Sequence, residues 1–327
     1  MSEHVALFAA GLLVLAAGAG CLVTGAARLD RATGRSAFAV GIVAVGFGPC
    51  VAGLAFDLTC VLRPAPPREA ELMVATALGT VVGSNIASVL LVLGAAALVR
   101  PVASSARLFS TAIPLTFVAT ILFWFLAADT TISRIDAGVL LAAFVGVLVL
   151  VVRDARRESD AGKAEFAAWV PEQTSLWVAG LLALAGLCAI VVGAWLAAGE
   201  LLGARTALRL RVQVMSITVV AFGTTLPALV AALVAARRGR SDLVLGLAVG
   251  PALVNLLLVA GAVATVQPIT ITEHAILNEI PAMAVCSLLL LPALLNGKVP
   301  RWEGALLVVA YAGFIAWQVT RVAPPGR

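Results

Sequence analysis

Apolar residues run along this chain in long stretches separated by charged or proline-rich breaks. Ten such stretches can be drawn, at about 5–26, 36–62, 70–98, 108–128, 134–152, 175–198, 212–236, 243–266, 279–296 and 303–320. A hydrocarbon core of about 30 Å takes roughly 20 helical residues, and every backbone polar group inside it must be paired within the protein. The pattern therefore predicts an all-α polytopic membrane protein with ten transmembrane helices. The second, third, seventh and eighth stretches carry Gly, Pro and hydroxyl residues near their middles, which predicts discontinuous helices there. The remaining stretches are rich in Leu, Val and Ala.

Composition agrees and excludes a soluble fold. Of 327 residues, 62% are hydrophobic and 12% charged, with a mean hydropathy of +1.08, too little polar surface to cover a water-soluble protein of this size. The formal charge of +5 belongs in cytoplasmic loops rather than in a nucleic-acid footprint. The five cysteines are odd in number and lie in apolar runs, so they read as small packing residues rather than a disulfide framework. No Lys or Arg precedes the first apolar run, and Val5–Val23 is too long for a signal-peptide core, which predicts a true first span. With the N-terminus outside, the cytoplasmic loops hold 14 of the 22 Lys and Arg. The bias predicts a multi-pass inner-membrane protein with both termini external, although Arg205, Arg209 and Arg211 run against it.

The longest polar segment, 153–174, connects residues 1–152 to residues 175–327, five stretches on each side. Because five is odd, the second half enters the membrane from the opposite face, and similarity between the halves means an inverted repeat. That similarity is legible. Phe47-Gly48-Pro49-Cys50-Val51-Ala52-Gly53 aligns with Phe222-Gly223-Thr224-Thr225-Leu226-Pro227-Ala228, and Leu78-Gly79-Thr80-Val81-Val82-Gly83-Ser84-Asn85 aligns with Leu245-Gly246-Leu247-Ala248-Val249-Gly250-Pro251-Ala252.

These segments resemble the sodium/calcium exchanger family of cation antiporters, whose two inverted repeats each carry an A-F-G-T-S-x-P-E segment and a later G-N/D-x-x-G-S-N-I segment. The likeness is strongest at Ala221–Pro227 and Val82–Ile86 and extends over all ten spans. It implies an ion site at the bilayer midplane between the repeats, and alternating access by movement of the first and sixth helices. Elementary chemistry points the same way: Pro49 and Pro227 interrupt helical hydrogen bonding, and threonine hydroxyls are hard oxygen ligands of the kind Na+ and Ca2+ take. On this reading Thr224 and Thr225, with the backbone around Gly48 and Gly223, line the ion path. Thr76 and Thr80 complete the shell. Ser84 and Asn85 are further candidates, packing between helices being the other reading of Asn85.

The chain departs from the family where charge matters most. The two motif glutamates correspond to Gly53 and Ala228, and the Asn/Asp positions to Thr80 and Leu247. Asp57 is the one carboxylate deep in an apolar stretch, one helical turn beyond Gly53. Glu71, Glu200, Glu279 and Glu303 lie near stretch ends, within reach of water. An ionisable residue inside a membrane helix is a functional candidate by default, the alternative being a bond to a neighbouring helix. Calcium takes six to eight oxygens, usually several from carboxylates, so a lone Asp57 among hydroxyls favours a monovalent cation or proton. The sequence thus predicts a secondary transporter, a cation antiporter carrying Na+ or H+. The competing readings are a transport-inactive membrane scaffold and a calcium exchanger with a displaced site in which Glu71, Glu279 or carbonyls compensate. No nucleophile-elbow, phosphate-loop or metalloprotease pattern occurs, so neither an enzyme nor a cofactor is expected.

Overall fold

A computed structural model describes residues 2–33, 37–103, 107–156, 175–208, 210–272, 274–291 and 297–321. Residues 157–174, most of the predicted connecting segment, lie outside the described residues, as do 292–296 at the end of the ninth predicted stretch.

Ten apolar helices correspond to the ten stretches. They are α1 (Ser2–Thr33), α2 (Ala37–Leu62), α3 (Pro67–Val99), α4 (Arg107–Leu126) and α5 (Arg134–Arg156) in the first half. The second half holds α6 (Leu176–Leu208), α7 (Val212–Arg237), α8 (Ser241–Val254, continuing to Val266), α9 (Ala275–Leu288) and α10 (Arg301–Arg321). Helix α6 has 33 residues, about 50 Å at 1.5 Å per residue, so it must tilt in, or project from, a core of about 30 Å. Pro64 follows the end of α2, and Pro66 caps α3, with Pro67 standing in its first turn where a missing N–H costs nothing.

Helices α3 and α8 are largely buried by protein, whereas α5, α6 and α10 turn most of their surface outward. The outward face of α6 carries Trp177, Leu181, Leu184, Leu187, Val191 and Trp195, all exposed, which is the surface hydrocarbon requires. Between lipid-covered helices there is no hydrophobic drive to associate, so close approach of backbones must hold them. The α1–α6 contact supplies it. Gly11, Gly18 and Gly25 recur every seven residues and meet Ala197, Ile190 and Ala183 of the antiparallel partner, while Gly186 and Gly193 meet Leu22 and Leu15. The same device recurs where α3 crosses α7: a Cβ on Gly83 would stand 2.4 Å from the Ile217 carbonyl oxygen.

Two short antiparallel ribbons close opposite ends of the bundle. Val102–Ala103 (β1) pairs with Lys298–Val299 (β4), and Thr131–Ile132 (β2) pairs with Ile269–Thr270 (β3). Each strand has its repeat-mate in the other ribbon, β1 with β3 and β2 with β4, so the ribbons obey the inverted symmetry of the two five-helix repeats. The ends alternate as ten crossings demand. His4 of α1 meets Glu200 of α6 at 2.5 Å at one end, while at the other Arg301 donates to the Val99 carbonyl at 3.0 Å.

One expectation is corrected. Pro49 and Pro227 do not break their helices: α2 runs unbroken from Ala37 to Leu62, and Pro227 lies inside α7. A proline removes one N–H and crowds the carbonyl four residues back, and here the chain absorbs that without leaving the helix. The irregularities are π turns instead, at Ser88–Leu93, Ser216–Val220, Asn255–Val259 and Ala275–Glu279. The first and third begin at repeat-related residues, Ser88 and Asn255.

Outside the centre, polar contacts are sparse and modest. Thr120 of α4 and Ser287 of α9 place their hydroxyl oxygens 3.1 Å apart, an interhelical bond worth about 0.6 kcal/mol on average within a membrane. Thr120→Val is expected to lower the thermal midpoint in detergent by no more than a few degrees.

Candidate ion-binding cavity

Helices α2, α3, α7 and α8 meet around a small internal cavity. From α2 come Cys50, Gly53 and Asp57, from α3 Thr80, Ser84 and Ser88, from α7 Thr224, Thr225 and Ala228, and from α8 Pro251 and Asn255. Apart from the adjacent pair Thr224 and Thr225, successive lining residues within each helix are three or four apart, so one face of each helix turns inward. All of these residues are buried.

Hydroxyl groups in a water-free interior bond back to carbonyls of their own helix, and most of these do. Thr80 donates to the Thr76 carbonyl at 3.0 Å and Ser84 to the Thr80 carbonyl at 2.6 Å. Thr224 donates to Val220 at 3.1 Å and Thr225 to Ala221 at 2.7 Å. Their oxygen lone pairs remain as potential ligands. The two repeats are joined through the cavity by Asn255, whose Nδ2 donates to Ser84 Oγ at 2.9 Å.

Asp57 breaks the pattern of satisfaction. It is fully buried, and although the Thr80 hydroxyl lies beside it, that hydroxyl is committed to the Thr76 carbonyl. Neither Asp57 oxygen has a hydrogen-bond partner, and neither has Ser88 Oγ. Buried polar atoms are paired in the great majority of cases, so three orphaned oxygens around one small cavity mark a place for a guest: a cation, a proton or water. Arg63, at the end of α2, holds its guanidinium 5.9 Å from the Trp195 ring centroid and does not line the cavity. Among the described residues no cluster of three His, Cys, Asp or Glu could hold a metal.

The structure brings together five of the nine predicted path residues: Asp57, Thr80, Ser84, Thr224 and Thr225. It sets the other four aside. Thr76 is buried but donates to the Leu72 carbonyl at 2.8 Å, one turn from the cavity. Asn85 donates to its own helix at Val81, 2.9 Å away. Gly48 and Gly223 are contact points for α1, which presses Val23 and Leu12 where their Cβ atoms would stand. Glu279, expected within reach of water, is instead only 2% exposed with Oε1 unpartnered, because the π turn at the start of α9 folds it inward. Even so, it does not line the cavity, and Glu71 is exposed.

Ser88, Asn255 and Cys50 line the cavity without having been among the path residues expected from sequence. A signal existed for Ser88: Thr76, Thr80, Ser84 and Ser88 follow one another every four residues along one face of α3. Gly53 and Ala228, named as the places of the missing glutamates, do line the cavity. A Cβ on Gly53 would meet nothing within 4 Å.

Ten helices in inverted repeat around a buried polar cavity form the fold of a cation antiporter. The family model described as sodium/calcium exchanger protein matches residues 3–153 and 177–320, and the chain belongs to that family. It is 29% identical over 316 residues to inner membrane protein YrbG of Escherichia coli (strain K12), covering 95% of this chain and 94% of that one. It is 26% identical to sodium/calcium exchanger MaX1 of Methanosarcina acetivorans, over 93% and 95% of the two chains. Among solved structures, the sodium-calcium exchanger NCX_Mj, soaked with 2.5 mM Na+ and 0.1 mM Ca2+, superposes with a TM-score of 0.69 at 26% identity. The match covers 96% of this chain and 98% of the other.

Proposed function

We propose that this antiporter carries a monovalent cation or a proton rather than binding calcium tightly, and that Asp57 is the group that carries it. The observation behind this reading is that one carboxylate, accompanied by Gly53 and Ala228 where the family motif has glutamates, faces a cavity otherwise lined by neutral groups. A divalent ion there would have half its charge unmatched in a medium of low dielectric constant, where unpaired charge is costly. Glu71 and Glu279, the residues a displaced calcium site needs, stand elsewhere. Thr224, Thr225, Thr80 and Ser84 supply neutral oxygens to the same guest. Access from either side follows if the glycine-seamed pair α1 and α6 moves as one body against the remaining helices. Its setting is the cytoplasmic membrane, with both termini external as the charge bias indicates.

Parallel flux assays on the purified chain in proteoliposomes, under gradients of Na+, K+, Ca2+ and H+, test the proposal. Uptake driven by Na+ or H+ gradients with no saturable calcium component is expected. Saturable calcium uptake would overturn it, and silence under every gradient would favour a scaffold.

A gain-of-function test complements the screen. Gly53→Glu together with Ala228→Glu returns two carboxylates to the cavity wall, with open space at the first position. The double variant is expected to acquire calcium-dependent protection against thermal unfolding that the parent lacks.

A further inference from the structure

We infer that the cavity enforces an electroneutral, one-for-one exchange, in which a single dehydrated Na+ and a single proton compete for Asp57 and the carboxylate never crosses unaccompanied. This rests on the reading of the cavity as the transport site, and adds to it the stoichiometry and the response to membrane voltage.

Size sets the first limit. The cavity is small, leaving about 10 Å³ for the centre of a water-sized particle, so a guest enters without its hydration shell.

Charge sets the second. Asp57 is the only carboxylate lining the cavity, beside hydroxyls, an amide and a thiol. On the helices packed against α2, Arg28 of α1 and Arg205 of α6 bury their Nε atoms without a hydrogen-bond partner, but neither residue lines the cavity. On α1 and α6, His4 and Glu200 are paired with each other at the bundle end. Asp136 of α5 accepts from the Ser133 backbone and hydroxyl. Glu69 and Glu71 of α3 are exposed, as are the arginines ending α7. On α2 itself Cys60 is buried and Arg63 faces Trp195.

With a proton or with one Na+ on Asp57, the buried cavity is neutral. Empty, it holds a negative charge whose two oxygens have no donor, a state strongly disfavoured away from water. Reorientation is therefore restricted to the two loaded forms. At one face Asp57 gives Na+ to water and takes a proton from water. At the other it gives up the proton and takes Na+. One cycle moves one Na+ against one H+ and transfers no net charge.

The test uses the full chain in proteoliposomes with radiolabelled Na+, an imposed pH gradient, and membrane potential clamped with valinomycin. The steady-state Na+ ratio is expected to be tenfold per pH unit and identical at every potential. A ratio that shifts about tenfold per about 59 mV at fixed pH gradient means that a net charge moves, and overturns the inference while leaving proton-coupled transport standing. Absence of any pH-driven Na+ flux at all potentials overturns the transport reading as well. A binding measurement needs no flux: Na+ protection against thermal unfolding should show an apparent Kd that rises tenfold per unit fall in pH on the acidic side. A Kd independent of pH, or protection that survives in Asp57→Asn, contradicts a shared carboxylate.

Discussion

Asp57→Asn is expected to abolish cation-coupled flux while leaving the protein as stable as before, or more so. Losing the charged partner of a buried cation costs about 3–5 kcal/mol, which at about 1.4 kcal/mol per decade is a hundredfold loss or more. The stability half of the prediction separates a carrier from a structural residue. A carboxylate that fastened helices together would have donors, and its removal would lower the melting point. The Asp57 oxygens have none, and asparagine of the same shape relieves a burden instead of removing a bond. Flux and thermal midpoint measured on one preparation decide the matter, and unchanged flux would remove Asp57 from the mechanism.

Gly186→Leu is expected to be the most damaging single change away from the cavity. A Cβ at this position would lie 2.4 Å from Leu22 N and 2.7 Å from the Gly18 carbonyl oxygen. Both are backbone atoms, which cannot turn aside as a side chain can. Overpacking in an ordinary core costs about 1–3 kcal/mol, and with backbone on both sides the upper end is the expected minimum. Yield of monodisperse protein in detergent should fall sharply. Gly180→Ala on the same helix, where a Cβ meets nothing within 4 Å, should behave as the parent. Equal behaviour of the two variants would show that the α1–α6 seam is not what holds these helices together.

The fold was largely legible because hydrocarbon imposes so strict a rule: apolar length alone placed all ten helices, and the Phe47/Phe222 alignment gave their inverted arrangement. Ends were less legible where amphipathic turns continue a helix into polar sequence, as when α6 runs to Leu208 and α1 to Thr33. The proline positions misled for a local reason. Composition announces a missing hydrogen bond but not whether the helix closes over it, and the π turn beginning at Ser88 has no proline within its helix turn to announce it. At the site, residues sharing one helix face with the motif were readable, whereas Asn255 required knowing that α8 crosses α3 beside Ser84. Gly48 and Gly223 illustrate the converse: their motif position is the expected one, yet their use is to admit α1.

The pairing of the ribbons bears on how such a chain is made. Val102–Ala103 leaves the ribosome long before Lys298–Val299 exists, so the first half is inserted with strand edges that have nothing to bind. Until the segment before the last helix arrives, that edge stays unpaired even though α6, α7 and α8 already pack against the opening repeat. Synthesis that stops after the eighth span should therefore release a species with the Val102 edge uncovered, a natural mark for quality-control proteases that survey newly inserted membrane proteins.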